Sequence, residues 1–102
     1  MTKLNDLVTA DRRLQILCLL AESHAYTASA DLLQTVLAGM GHAISHDRLA
    51  TDLEWLTEQG LIGLERIGDG ANAVPLARVT ARGLDVANGM AAVPGVARPR
   101  PG

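Results

Sequence analysis

Aromatic residues are almost missing from this 102-residue sequence, which has one Trp, one Tyr and no Phe. Sheets that bind RNA and grooves that bind single-stranded nucleic acid stack bases on several exposed rings. The composition therefore disfavours that class of protein. Cysteine is equally scarce, since Cys18 stands alone. No internal disulfide can form, and nothing in the sequence indicates an oxidising compartment.

Long hydrophobic runs and an excess of basic charge are also lacking. No apolar stretch reaches the roughly 18 residues that a membrane-spanning helix needs. The first residues, MTKLND, lack the apolar core of a signal peptide. We therefore predict a soluble cytoplasmic protein without a membrane partner. The net charge of −2 excludes a strongly basic nucleic-acid footprint over the whole chain but leaves room for a local basic patch.

Motifs of common enzymes and metal sites are absent as well. The sequence contains no GxSxG, Gly-rich phosphate loop, HExxH or CxxC, so it predicts neither an enzyme nor a bound cofactor. Cys18 lies in an apolar run, which favours a packing residue over a reactive thiol. His42 and His46 are four residues apart, but a helix is predicted to begin only after Ser45. Their spacing therefore does not predict a metal site.

Three helices are predicted in the first sixty residues. The first begins after Thr9, a potential N-cap, and is apolar nearly all round in its middle. The second begins near Ser29 and ends by Gly41. The third is capped by Ser45 and ends at Gly60, and its single Trp is predicted to pack against the strands that follow.

A hairpin and a fourth helix complete the predicted domain. The segments LIGLERI and AVPLARV are rich in aliphatic residues and flank the turn-forming stretch GDGAN, which predicts a two-stranded hairpin. Thr80 then caps the helix ARGLDVANG. The remaining residues are rich in Pro, Gly and Ala. We therefore predict one domain over residues 1–91 and a flexible Pro- and Arg-containing tail over residues 92–102.

The order of elements, with a short turn between the second and third helices, is typical of helix-turn-helix proteins. The segment LATDLEWLTEQGLI, residues 49–62, resembles the run from the third helix into the first wing strand of winged helix-turn-helix domains. VTARG, residues 79–83, resembles the start of their last helix. The resemblance covers about residues 10–90. It implies a mainly α fold with a small β-hairpin: three helices, a two-stranded wing and a C-terminal helix.

A narrower resemblance is to small winged-helix proteins of Mu-like phages and prophages, which are often labelled ArsR-like regulators. The segments AYTASADLLQTVL, GHAISHDRLATDLEWLTEQGL and VPGVARPRP carry it. It implies a phage- or prophage-encoded, DNA-binding transcriptional regulator in the cytoplasm of a bacterial host cell. ArsR metal sensors place cysteines on the third helix or histidines and acids on the last. Residues 45–59 contain no Cys, so the resemblance does not extend to metal sensing.

The outer face of the predicted third helix is mostly acidic, which conflicts with binding to phosphates. Asp47, Glu54 and Glu58 lie there, and Asp52 flanks it, where it is placed to pair with Arg48 at i+4. Only the first turns of a recognition helix usually enter the DNA groove, however, and these turns are less acidic. The predicted DNA-binding residues are Ser45, His46, Arg48 and Thr51 on the helix and Arg66 and Arg78 on the wing.

The first helix is apolar on two sides, and one small domain usually covers one of them. We therefore predict that the second side forms a homodimer interface, because soluble monomers rarely leave a contiguous aliphatic patch in water. The predicted interface residues are Ile16, Leu19, Leu20 and Leu84. In the competing interpretation, the last helix of the same chain folds back and covers this side.

Two functions remain open from the sequence. The first is a winged-helix transcriptional regulator that binds double-stranded DNA as a homodimer, which the family resemblance favours. The second is a winged helix that serves as a protein-protein interaction module in a phage complex without specific DNA binding, which the acidic helix favours. The tail adds a possible protein-binding segment, because PGVARPRPG favours extended polyproline geometry. Alternatively, its Arg98 and Arg100 suit the minor groove of DNA.

Overall fold

The computed structural model describes residues 3–100, which form four helices and three short strands. Their order is α1 (Leu4–Glu22), β1 (Thr27–Ser29), α2 (Ala30–Gly39), α3 (His46–Glu58), β2 (Ile62–Ile67), β3 (Val74–Val79) and α4 (Ala81–Ala87). Short 3-10 turns lie at His24–Tyr26 and Gly70–Asn72. Within the described range, none of the helices has the length and apolarity needed to cross a bilayer.

Three of the helices begin at the hydroxyl residues that the sequence indicates. The side chains of Ser29, Ser45 and Thr80 each accept a hydrogen bond from the backbone N–H three residues further on, at 3.0–3.1 Å. These bonds satisfy N–H groups that have no partner inside a helix. α1 begins earlier than predicted, at Leu4 rather than after Thr9. The additional residues contain no Gly or Pro, and Asp6 in the first turn favours the positive end of the helix.

The sheet contains the predicted hairpin and one strand that was not predicted. Its order is β1-β3-β2, and both pairings are antiparallel. β1 has three residues, too few for a periodic sequence pattern. Pro75 lies on the central strand, but β1 pairs with β3 only as far as Leu76. Beyond that point β3 has a neighbour on one side alone, where a residue without an N–H is tolerated.

The hydrophobic core lies between α1, the helix-turn-helix and the inner face of the sheet. Its wholly buried side chains include Ile16, Leu17 and Leu20 of α1. α4 packs against α1, and its Val86 and Ala87 are buried. The prediction that Ile16 and Leu20 form a dimer interface is therefore wrong, because both are 0% exposed within one chain. The structure agrees with the competing interpretation, in which α4 of the same chain packs on α1. Leu19 and Leu84 are only partly buried.

α4 approaches the corner between α3 and β2 unusually closely. A Cβ at Gly83 would lie 2.1 Å from the carbonyl oxygen of Leu61 and 2.6 Å from a methyl carbon of Val79. Two hydrogen bonds hold the start of the helix there. The N–H of Thr80 donates to the carbonyl of Leu61 at 3.0 Å, and its hydroxyl donates to the carbonyl of Gly60 at 2.7 Å. Only a glycine fits at this contact.

The segment after α4 packs on the domain rather than leaving it. Val93 and Val96 are buried, and the N–H of Ala97 donates to the carbonyl of Ala10 on α1 at 3.1 Å. The prediction of an unpacked tail is therefore wrong for residues 93–97, because two valines three residues apart supply apolar surface among the Pro, Gly and Ala. The flexibility of residues 98–100 stays a prediction, and residues 101 and 102 of the predicted tail lie outside the described residues.

Candidate nucleic-acid interface

The start of α3 presents the four residues predicted to bind DNA on this helix. Ser45, His46, Arg48 and Thr51 are all exposed, while the leucines at 49, 53 and 56 are buried in the core. Ser45, Arg48 and Thr51 line one shallow hollow together with Asp47. His46 lies to the side, where its Nδ1 is 4.0 Å from a carboxylate oxygen of Asp31. Both of these side chains are well exposed, so the pair contributes little.

The hydroxyl groups in this hollow differ in their capacity to donate. The Oγ of Ser45 accepts the N–H of Arg48 at 3.1 Å, which leaves its own proton free for a ligand oxygen. The hydroxyl of Thr51 already donates to the carbonyl of Asp47 at 3.0 Å, so it must break this bond to donate elsewhere. Among residues 3–100, no carboxylate lies within ion-pair distance of the Arg48 guanidinium. The N–H donors of the Arg48 guanidinium are thus available to a ligand.

Asp52 does not pair with Arg48 as the i+4 spacing suggests. Its side chain is 1% exposed and points toward α1, where one oxygen is 2.6 Å from Nε of Arg12 and the other 3.2 Å from Nε of Arg13. One of the four acids expected around the outer face is therefore neutralised inside the protein. Three carboxylates remain on the exposed face against Arg48. The formal charge of that face is therefore −2 rather than −3.

Arg13 connects α1, α3 and the C-terminal segment. Its guanidinium carbon lies 4.0 Å from the centroid of the Trp55 ring, within the range of a cation–π contact. The same guanidinium donates to the carbonyl of Gly95 at 3.3 Å. Trp55 therefore packs beneath Arg13 and the segment after α4, and the prediction that it packs against the wing strands is wrong. The adjacent basic residues Arg12 and Arg13 on an apolar helix were the only sequence signal of this cluster.

The two predicted wing arginines lie on opposite faces of the sheet. Directly paired residues of antiparallel strands point to the same face. Arg66 pairs with Pro75, on the same face as the buried Ile62, and Arg78 pairs with Gly63 and Thr27 on the other face. The structure thus brings Arg66, and not Arg78, to the side of the sheet that faces α3.

A groove separates the start of α3 from the wing. It has a volume of about 250 Å³, an apolar floor and a charged rim that includes Arg66. The rim also contains three carboxylates and an imidazole, which are the side chains of Asp31, Asp47, Glu54 and His46. The wing tip, residues 68–72, contains Asp69 and no basic residue. Arg66 is therefore the single arginine of the wing that can accompany α3 on a common surface.

The arginines of the C-terminal segment lie along α1. Arg98 and Arg100 are exposed and form one wall of a groove whose other wall is α1, and this groove has a volume of about 610 Å³. Asp11 also lines it and accepts a hydrogen bond from His42 Nε2 at 2.8 Å when that nitrogen is protonated. We call this feature the α1 groove.

Cys18 lies at the end of the α1 groove and is partly buried. Burial raises the pKa of its thiol above the ordinary value, and the negative charges of Glu22 and Asp11 raise it further. The thiol is therefore protonated at neutral pH, and a protonated thiol is a poor nucleophile. Residues 3–100 also contain no cluster of three potential metal ligands.

Together, the helix-turn-helix, the exposed α3 and the hairpin beside it define a winged-helix protein. More particularly, the chain belongs to the family of protein gp26 of Escherichia phage Mu, with which it is 40% identical over 98 residues that cover 96% of this chain and 97% of the phage protein. It is also 43% identical to an uncharacterized protein of Haemophilus influenzae over 65 residues, 64% of this chain and 63% of that protein. No family model matches the chain.

A solved structure supports the fold. The crystal structure of a PadR family transcriptional regulator from Eggerthella lenta DSM 2243 superimposes with a TM-score of 0.59 at 27% sequence identity, and the match covers 76% of this chain and 69% of the regulator. The predicted winged-helix fold and the predicted kinship with Mu phage proteins are thus confirmed. The likeness to ArsR regulators in particular stays a prediction.

Proposed function

We propose that this protein is a DNA-binding transcriptional regulator of a Mu-like phage or prophage, and that it binds double-stranded DNA as a homodimer. The observation that carries the proposal is the hollow at the start of α3, where Ser45, Arg48 and Thr51 are exposed together and Arg48 has no ion-pair partner among residues 3–100. The likeness to a PadR family transcriptional regulator supports it.

The proposed contacts follow from the donors at this surface. The guanidinium of Arg48 has the fork geometry that reads O6 and N7 of guanine in the major groove. Ser45 can cap α3 and donate its hydroxyl proton to a phosphate at the same time, close to the positive end of the helix. Arg66, on the α3 side of the wing, is placed for a flanking phosphate. In this arrangement Arg48 determines the sequence preference, and Ser45 and Arg66 fix the position of the protein on the duplex.

The acidic side chains on the exposed face of α3 limit the strength of this binding. Asp47, Glu54 and Glu58 are exposed and repel phosphates. A duplex that contacts the start of α3 and the wing avoids Glu58, but it still meets Asp47 in the hollow and Glu54 on the rim of the groove. Repulsion therefore weakens every mode of binding, and most of all that of a non-specific duplex that contacts the whole face. We therefore expect weak non-specific binding and a shallow dependence on salt, equivalent to about two or three phosphates per subunit.

The decisive experiment selects binding sites from a random DNA pool at low salt and measures the affinity of the selected duplex by fluorescence anisotropy. Arg48→Ala should reduce the affinity by about 1–3 kcal/mol and relax the base preference at one position. Arg82→Ala is the matched control, because Arg82 is an exposed arginine on α4. Failure to enrich any sequence, together with no binding at low salt, would contradict the proposal.

The second candidate is a protein-protein interaction module in a phage complex. The groove between α3 and the wing favours it, because an apolar floor with a rim of three carboxylates suits a protein ligand better than a phosphate backbone. The test is the same selection experiment combined with hydrogen exchange. If no DNA is bound, a phage partner should protect the amides at the start of α3 and in β2. If DNA is bound, the duplex should protect them instead.

A further inference from the structure

The first turns of α1 carry aliphatic side chains that the rest of the chain does not cover. Leu4, Leu7 and Val8 are 75%, 56% and 41% exposed. They lie on adjacent turns of one helix, so they form a continuous apolar surface. Soluble proteins usually reserve such a surface for a partner. We call these three residues the α1 patch.

The α1 groove continues directly from this patch. Leu7 belongs to both, and the groove then follows α1 past Leu14 as far as Cys18. Its opposite wall is the segment from Ala97 to Arg100, and a hydrogen bond joins the start of this segment, Ala97, to α1. The groove is open to solvent, and its α1 wall combines the apolar residues Leu7, Leu14 and Cys18 with the polar residues Asp11 and Gln15. A helix with projecting aliphatic side chains would fit such a surface.

The patch and the groove carry charged side chains that can pair with each other. Asp6 and Lys3 are exposed beside the patch, whereas Asp11 lines the groove itself and lies 2.8 Å from His42 Nε2. Arg98 and Arg100 supply the positive charge on the far wall of the groove. A partner for the groove should therefore offer aliphatic residues beside a carboxylate. The first turns of α1 meet this requirement, because the patch lies beside Asp6.

We propose that the occupant of the α1 groove is a second copy of this chain. In the resulting two-fold dimer, the α1 patch of each protomer lies in the groove of its partner, and Asp6 faces Arg98 and Arg100 across the interface. A two-fold contact is self-complementary, so one interface covers both patches and fills both grooves. A foreign protein would need both an apolar projection for the groove and a recess for the patch.

This surface differs from the interface predicted from the sequence. Ile16 and Leu20 are buried within the protomer, and the residues that remain exposed lie two to four turns nearer the start of the helix. The C-terminal arginines also acquire a role other than binding DNA, because they form a wall of the interface. The proposal rests on the proposed function, because it names the surface through which the regulator would dimerise. It is tested without DNA, so its failure removes the homodimer and leaves DNA binding at the start of α3 to its own test.

The test measures the mass of the full chain by sedimentation velocity between about 1 and 100 µM, a range suited to weak dimers. We expect a reversible monomer–dimer equilibrium. Leu7→Glu should raise the dissociation constant at least about tenfold, since it places an unpaired carboxylate in an apolar contact. Leu32→Glu on α2 is the matched control, because Leu32 is 54% exposed and Leu7 is 56% exposed. Circular dichroism verifies that both variants are folded.

A charge exchange tests the orientation of the two chains. Asp6→Arg should weaken the dimer, and Asp6→Arg combined with Arg98→Glu and Arg100→Glu should restore it, because the opposite charges then face each other again. A monomer at the highest concentration overturns the proposal. A dimer that Leu7→Glu and Leu32→Glu affect equally also overturns it, as does a charge exchange that fails to restore association.

Discussion

Arg12 on α1 and Asp52 on α3 form an ion pair at 2.6 Å in which the two side chains are 5% and 1% exposed. Arg13 approaches the other oxygen of the same carboxylate at 3.2 Å. Both oxygens of Asp52 are thus satisfied, as a charge in such a setting requires. This contact fixes α3, whose start is the proposed DNA-reading surface, against the first helix of the chain.

Removing one partner of this pair should destabilise the fold. Asp52→Ala leaves the guanidinium of Arg12 buried without an opposite charge, which typically costs about 3–5 kcal/mol. The measurement is urea unfolding followed by circular dichroism. Glu54→Ala provides the control, because Glu54 is an exposed acid two residues away on the same helix and should change stability by less than about 0.5 kcal/mol. Equal losses of stability in the two variants would show that the buried ion pair does not stabilise the fold.

The two wing arginines should behave differently on DNA. Arg66→Ala removes a charge from the α3 side of the sheet, so it should weaken binding to all sequences and lower the salt slope by about one unit. Arg78→Ala should leave both quantities unchanged, because Arg78 lies on the opposite face. Anisotropy titrations at several salt concentrations measure both. A larger effect of Arg78→Ala would contradict the proposed placement of the duplex.

Gly83→Ala should destabilise the protein strongly. The added methyl group would lie 2.1 Å from a backbone oxygen, so α4 or the start of β2 must move. Overpacking of this kind costs about 1–3 kcal/mol, and more when the neighbour is backbone. Gly39→Ala is the matched control in α2. Its Cβ would have no neighbour within 4 Å, so this change should be neutral or stabilise the helix by up to about 1 kcal/mol.

Cys18 should make stability fall in alkaline solution. Burial raises the pKa of the Cys18 thiol in the folded chain, so folding favours the protonated thiol. The resulting contribution to the free energy of unfolding is fully present below the thiol pKa of the unfolded chain, near 9.0. The contribution is lost as the pH rises through the folded value. Unfolding free energies of the wild type should therefore decline more steeply above pH 9.0 than those of Cys18→Ser, whose hydroxyl does not titrate in this range. Parallel curves would contradict this role.

Helix boundaries were predictable from the sequence where a local interaction sets them. Ser29, Ser45 and Thr80 cap their helices through bonds that span three residues, so each signal lies within the segment it controls. The hairpin was predictable for the same reason. β1 was not, because a three-residue strand exists only through its pairing with β3, about fifty residues away in the sequence.

The site was harder to predict, because its electrostatics depend on distant contacts. Asp52 lies four residues from Arg48, but it pairs with Arg12 forty residues away, and no local pattern distinguishes the two outcomes. The apolar face of α1 posed a similar ambiguity. A sequence shows that Ile16 and Leu20 require cover, but it does not show whether the cover comes from α4 of the same chain or from a second subunit.

The bond between Ala97 and Ala10 has a consequence for the order in which this protein folds during its synthesis. Val93 and Val96 are buried beside this bond, and the helices and the sheet all precede them in the chain. Chains fold from the N-terminus as they emerge, so this contact forms only after the ribosome has added the segment that follows α4. The packing of that segment on α1 is therefore a late step in the folding of the domain.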